Sequence, residues 1–133
     1  STSRGPGDVY KRQDLNNLKM CNDNYGHSSG DAYIIHSAHI IETTFDRFGK
    51  CYRIGGDEFC CLIPDAAEFQ IERFIQKMQQ DIAILNNKNI IPTEVGIACG
   101  YALATPDDAD IEKVRERADE MMYHNKKVLK GLI

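Results

Sequence analysis

Two consecutive glycines, Gly55-Gly56, separate two short runs rich in aromatic, aliphatic and cysteine side chains, Lys50 to Ile54 and Asp57 to Ile63. That arrangement is the signal for a β-hairpin closed by a two-residue turn, and it fixes one corner of the fold. Apolar residues fill successive positions from Phe59 to Ile63, so the second arm is expected to be covered on both faces. Helical patterns flank the hairpin. From Gly30 onward, Ile34, Ala38, Ile41 and Phe45 form one helical stripe. Asp65 and Glu68 resemble a capping box ahead of a second stripe, Ile71, Ile75, Met78, Ile82 and Leu85, which ends near Asn86-Asn87. Thr93 to Leu103 reads as a strand interrupted by Gly96 and Gly100, and Asp110 caps a last helix with Ile111, Val114, Ala118 and Met121 inward. The predicted fold is α/β, an α+β sandwich in which a mixed, largely antiparallel central sheet is flanked by helices.

Composition narrows the function. With 133 residues, 42% of them hydrophobic, the chain is the size of one domain with one core. Its 16 Lys and Arg against 20 Asp and Glu are not gathered into a basic stripe, which argues against a nucleic acid polymer as partner. An acidic domain can still hold a triphosphate if a divalent cation bridges its carboxylates to the phosphates. No run of apolar residues is long enough to span a membrane, so direct membrane contact is not expected and a cytoplasmic location is. The five cysteines lack zinc-site spacing and lie in apolar segments, where they read as reduced core filler.

Two clusters carry the chemistry. At the hairpin tip, Gly55 and Gly56 leave backbone N–H groups open to a ligand, and Asp57 and Glu58 follow at the mouth of the second strand. Taken alone, the same residues could simply satisfy a primed turn and solubilise it. Upstream, the stretch from Asp14 to Asp31 holds Asn16, Lys19, Asn22, Asp23, His27 and Asp31, any one of which could serve as a helix cap or turn residue. His36 and His39, on or beside the stripe of the Gly30 helix, read as structural histidines, and His124 has no assigned role.

Together the clusters resemble the GGDEF family. Asp14 to Asp31 is similar to the pattern D-x-D-x-(F/L)-K-x-x-N-D-x-x-G-H-x-x-G-D, and Arg53-x-Gly55-Gly56-Asp57-Glu58-Phe59 follows at the family's distance. Arg117-Ala118-Asp119, Tyr123 and Lys126 resemble the family's closing helix. The resemblance implies a diguanylate cyclase that condenses two GTP into cyclic di-GMP and two pyrophosphates at the interface of a GGDEF homodimer, in bacterial second-messenger signalling. It implies two Mg2+ per active site, replaceable by Mn2+, held by the Asp14 side chain, the Leu15 carbonyl and Asp57. Asp57 and Glu58 would be catalytic, Asp57 as acceptor of the 3′-hydroxyl proton and Glu58 as support for the metal site. Asn22 and Asp31 would read guanine with His27 in the same pocket. Lys19, Gly55, Gly56, Lys126 and Lys130 complete the substrate-binding set, the last two reaching the β- and γ-phosphates. An upstream sensory domain, and membrane anchoring through it, would belong to the parent protein. The competing reading is a catalytically silent GGDEF-like module that binds GTP and regulates a neighbour. A different nucleotidyl transferase or purine cyclase on a related sheet is more distant.

Three departures from the family pattern bear on this. Asn16 stands where the family has a second Asp, sparing the metal-ligand position. The R-x-x-D product-inhibition positions hold Asp46 and Gly49, so feedback inhibition of that type is not expected. Residues 1–13 are small, polar and basic, and Asp8 to Gln13 matches a translated transposon end used in sequencing libraries, so this segment is expected to be adaptor-derived and non-native. The GGDEF domain would then run from 14 to 133 with its first strand and preceding helix missing. Lys11, Arg12 and Gln13 would pack poorly in a central strand, leaving the fragment weakly folded or inactive.

Overall fold

The computed structural model describes residues 8–133, and the expectation for residues 1–7 lies outside them. Eight elements follow one another: β1 (Val9–Leu15), α1 (Leu18–Tyr25), α2 (His27–Phe45), β2 (Lys50–Arg53), β3 (Glu58–Ile63), α3 (Glu68–Asn87), β4 (Ile97–Leu103) and α4 (Ile111–Leu129). The strands form one sheet in the order β2-β3-β1-β4, and every pairing is antiparallel. The expected α+β sandwich is therefore present, with a wholly antiparallel sheet.

The sheet has two unequal faces. Residues alternate across a strand, so Val9, Lys11, Gln13 and Leu15 share one face of β1 while Tyr10, Arg12 and Asp14 share the other. The first face carries the main core, where Ile63, Cys61, Phe59, Cys99 and Ile97 of the neighbouring strands join Tyr33, Ile41 and Phe45 of α2 and Ile71, Ile75 and Met78 of α3. The second face is covered by α4 through Ala102, Ala104, Val114 and Ala118. Gly100 permits that approach, because a Cβ there would lie 2.1 Å from the Ala118 carbonyl oxygen.

Several expectations shift. The place of the first strand is filled: Val9 to Gln13 runs into Asp14 as part of β1, between β3 and β4. Lys11, Arg12 and Gln13 are buried there, and Lys11 Nζ, Arg12 Nε and Gln13 Oε1 have no hydrogen-bond partner among the described residues. Helix α1 arises from a stretch whose polarity hid it. Helix α2 begins at His27, and its tightest face is Gly30, Tyr33, Ser37, Ile40, Ile41, Thr44 and Phe45. Ile34 and Ala38 are only partly buried against the core. At the start of α3 the Gln70 side chain accepts the Ala67 N–H at 3.0 Å, so the cap lies two residues beyond Asp65. On α4 Met122 rather than Met121 is buried.

Candidate functional site

The site forms where β1, the hairpin tip and α4 converge. β1 lies antiparallel to β3, and the Leu15 N–H donates to the Asp57 carbonyl at 2.8 Å, so register alone sets Asp57 beside the Asp14-Leu15 end of the strand. Asp14 projects toward α4, where Lys126 Nζ donates to Asp14 Oδ2 at 2.5 Å. Asp14 Oδ1 is buried and has no hydrogen-bond partner among the described residues. Burial and the nearby Asp57 charge hold the Asp14 carboxyl above its ordinary pKa, against the opposing pull of Lys126. Burial works against the Lys126 ammonium too, but the Asp14 and Asp57 carboxylates outweigh it and raise the Lys126 pKa.

These residues open on a cleft of about 420 Å3. Its lining includes Leu15, Asn16, Asn17, Lys19, Asp57, Lys126 and Lys130. Asn17 precedes α1 with a left-handed backbone (φ 61°), and its side chain does not cap the first turn of α1, whose Leu18, Lys19 and Met20 line the cleft. Lys19 is exposed and pairs with Asp23 at 3.3 Å, an ion pair too solvated to hold it in place.

The tip differs from a two-residue turn. The Ile54 N–H donates to the Glu58 carbonyl at 2.9 Å, which leaves Gly55, Gly56 and Asp57 as a three-residue connection. Arg53 folds it by donating to the Gly55 carbonyl at 3.1 Å and the Gly56 carbonyl at 2.7 Å. Neither glycine has a positive φ. A Cβ at Gly56 would meet nothing within 4 Å, and one at Gly55 only Glu58 at 3.6 Å. Turn geometry therefore does not demand these glycines; what they provide is open space over the backbone beside Asp57.

Other predicted residues are placed differently. Glu58 stands directly opposite Asp14 in the β1–β3 register and accepts from Arg12 Nη2 at 2.6 Å. Asn22 lies against Gly30, where a Cβ would fall 1.6 Å from Asn22 Oδ1, so the α1–α2 contact depends on that glycine. Asp31 is the next residue along α2, exposed, as is His27 at its start, and neither lines the cleft. His36 is half-buried, while His39 and His124 are exposed.

Sequence reasoning missed Asn17, Met20 and Asn24, which line the cleft. It also missed Tyr33, whose hydroxyl donates to the Asn16 carbonyl at 2.5 Å and accepts the Gly96 N–H at 3.0 Å, tying the ends of β1 and β4 together beneath the site. No motif signals either role, because both depend on how α1 and α2 fold back over the sheet.

Among the described residues no three His, Cys, Asp or Glu side chains gather into a metal cage. The oxygen donors at the cleft still suit a hard cation. Asp14 Oδ1 is a buried anionic oxygen lacking a partner among the described residues, Asp57 stands close enough to perturb it, and Leu15, bound to Asp57 through its N–H, follows Asp14 in the chain.

The family model for the diguanylate cyclase GGDEF domain matches residues 13–130. This chain belongs to the GGDEF domain family. Diguanylate cyclase DgcN of Escherichia coli is 32% identical to it over 115 residues, covering 85% of this chain and 28% of that protein. Diguanylate cyclase DgcS of Shewanella oneidensis is 29% identical over 117 residues, covering 85% and 37%. The GGDEF domain thus spans roughly a third of the length of these curated relatives. Its fold matches the GGDEF domain of DgcB from Caulobacter crescentus, solved in complex with c-di-GMP, with a TM-score of 0.80 at 23% identity over 90% of this chain and 72% of that one. Among the described residues no helix is long and apolar enough to cross a membrane.

Proposed function

We propose that this GGDEF domain is a diguanylate cyclase that joins two GTP molecules into cyclic di-GMP and releases two pyrophosphates. The observation that carries this reading is the buried Asp14 Oδ1, without a partner among the described residues, beside Asp57 and Lys126, which line the cleft. A buried carboxylate oxygen with no partner is costly in a folded protein, and a ligand cation arriving with substrate would satisfy it.

The cation is Mg2+, with Mn2+ able to replace it, and Asp14, the Leu15 carbonyl and Asp57 would hold it. When bound it neutralises the triphosphate and stabilises charge developing on the transferring phosphoryl group. Lys126 and Lys130, one turn apart on and just beyond α4, supply positive charge to the terminal phosphates. Lys126 must leave Asp14 for this role, so its present contact is a resting state that holds the carboxylate until substrate enters. The first-turn N–H groups of α1 and the open backbone at Gly55 and Gly56 give further donors for phosphate oxygens.

Asn22 and Asp31, neighbours across the α1–α2 contact, would read the base. A carboxylate accepts from both guanine N1–H and the exocyclic amine, a donor pair that adenine lacks. Each domain binds one GTP, and the 3′-hydroxyl of one attacks the α-phosphorus of the other, twice in succession. Asp57, half-buried at the tip, is the carboxylate placed to take the hydroxyl proton. One site cannot present both nucleotides to each other, so turnover needs two domains face to face. Glu58, opposite Asp14 in the register and paired with Arg12, would support the metal site. An upstream sensory domain would regulate that meeting in the parent protein.

We read residues 1–13 as a non-native segment, and the unpartnered buried polar atoms of Lys11, Arg12 and Gln13 support this. The experiment is product identification after incubating the protein with GTP and Mg2+ at high concentration, with ATP as control. It is run on this chain and on the parent carrying its own sequence before Asp14. Cyclic di-GMP from GTP alone, forming with a rate second order in protein, supports the reading. A folded parent that binds GTP and leaves it intact would establish the silent regulatory module instead.

A further inference from the structure

The hairpin that bears the tip also brings two cysteines together. Cys51 on β2 lies directly opposite Cys61 on β3, and their sulfurs are 2.7 Å apart with one S–H donating to the other. The position in the ladder matters. Ile54 donates its N–H to the residue it faces, Glu58, so that pair is hydrogen-bonded. Successive pairs alternate, which makes Cys51 and Cys61 a non-hydrogen-bonded pair. Such pairs have Cα atoms about 4.5 Å apart and side chains in contact, within the reach of a disulfide. Cys61 is fully buried, whereas Cys51 is only partly buried and sits on β2, at the edge of the sheet, where a small oxidant can reach it.

The other cysteines are excluded by the same geometry. Cys60 is adjacent to Cys61 and so points to the opposite face of β3. Cys99 lies on β4, separated from β3 by the whole of β1.

We propose that Cys51 and Cys61 are a redox-modification site at which peroxide forms a cross-strand disulfide, stapling the β2–β3 hairpin that carries Gly55, Gly56 and Asp57. The Cys51 sulfur attacks one peroxide oxygen, the O–O bond breaks, and the departing hydroxide takes the Cys51 proton as water, giving a sulfenic acid. The Cys61 sulfur then attacks Cys51 Sγ; the S–S bond forms, the S–O bond breaks, and the departing hydroxide takes the Cys61 proton as water. Two thiols lose two electrons and one peroxide becomes two waters. A dithiol reductant reverses the change by exchange at the more exposed Cys51 sulfur. The link closes the hairpin into a covalent ring, so its strands cannot slip or fray while the tip stays free to meet a ligand.

The test uses the full chain, reduced, freed of reductant, exposed to a slight excess of hydrogen peroxide and then alkylated under denaturing conditions. The expected product is about 2 Da lighter before alkylation, the mass of the two hydrogens lost. Trypsin cuts after Lys50 and Arg53, so the Cys51 peptide should appear joined to the peptide that begins at Ile54. The cross-link should persist in Cys60→Ala and Cys99→Ala, vanish in Cys51→Ala and Cys61→Ala, and raise the thermal midpoint until reductant returns it. Cys51→Ala is decisive even if the buried Cys61→Ala misfolds. Oxidation of Cys51 to sulfinic acid without a cross-link, a bond to Cys60 or Cys99, or full alkylation of both thiols after peroxide would each overturn the proposal.

Discussion

Asp14 and Lys11 stand three residues apart on the same strand, both buried, each with a polar atom that has no partner among the described residues. Asp14 faces α4 beside Asp57 and Lys126, which line the cleft, so a ligand there can complete it. Lys11 faces the main core, its ammonium 3.9 Å from the centre of the Phe45 ring and ringed by cysteine sulfur. Nothing from solution can reach it there. Both carry the cost of desolvation, yet only Asp14 stands where binding can return it. An unsatisfied buried group is therefore a sign of function only where it borders an accessible space.

The strongest way to break this contrast is Asp14→Asn. Magnesium-dependent GTP affinity, and cyclic di-GMP formation in the parent protein, should fall by about 100- to 1000-fold. The thermal midpoint should hold or rise, because burial already disfavours the charged carboxylate. A large loss of stability would instead make Asp14 a structural residue.

Tyr33 offers a third case, a buried polar group with its partners in place. Burial pushes its pKa up to about 12 from 10.0. The folded protein then binds a proton more tightly than the unfolded chain, so this contribution is complete below pH 10 and is lost as pH rises to about 12. Its size is about 2–3 kcal/mol. Chemical denaturation at stepped alkaline pH should show a loss that is smaller in Tyr33→Phe than in the native chain, the remainder coming from Tyr10 and Tyr101, whose pKa values burial also raises.

Lys11→Met should stabilise the fold by roughly 2 kcal/mol, seen as a higher urea midpoint with an unchanged slope. Burial pulls the Lys11 pKa below 10.5, so the folded chain binds fewer protons and its stability climbs as pH rises toward that value. Lys11→Met should flatten this rise. A destabilised variant would show that the contact with Phe45 outweighs desolvation. The smallest effect is expected of Gln13→Leu, a gain of about 1 kcal/mol, since Gln13 Nε2 already donates to Cys61 at 3.2 Å and only its oxygen is orphaned.

The sequence reveals most where a pattern is both long and chemically uniform. The stripe from Ile71 to Leu85 is buried position for position in α3, because five aliphatic or Met residues at helical spacing admit no other face. The resemblance to the GGDEF family, rather than any pattern of spacing, singled out Asp14, Leu15, Asp57, Lys126 and Lys130; the last four line one cleft, and Lys126 reaches Asp14 beside it. Helix α1 was not legible, because Leu18 and Cys21 are its only buried residues and its other large apolar side chains, Met20 and Tyr25, are exposed among polar neighbours. On α2 the tight face is built from Gly30, Ser37 and Thr44, small residues that let the helix sit close and that a search for aliphatics passes over. The ion pair between Glu58 and Arg12 was not legible, because Arg12 lies in a strand that the sequence alone gave no reason to build.

Gly55 and Gly56 adopt no conformation closed to other residues, and a Cβ at either would meet no clash. Alanine should be accepted at both without loss of the fold. Any screen that scores abundance, protease resistance or melting would therefore report the signature loop as freely variable. Selection for solubility alone could erase it from a library while every survivor still folded. The part of this chain that names its family is the part that its own folding does not protect.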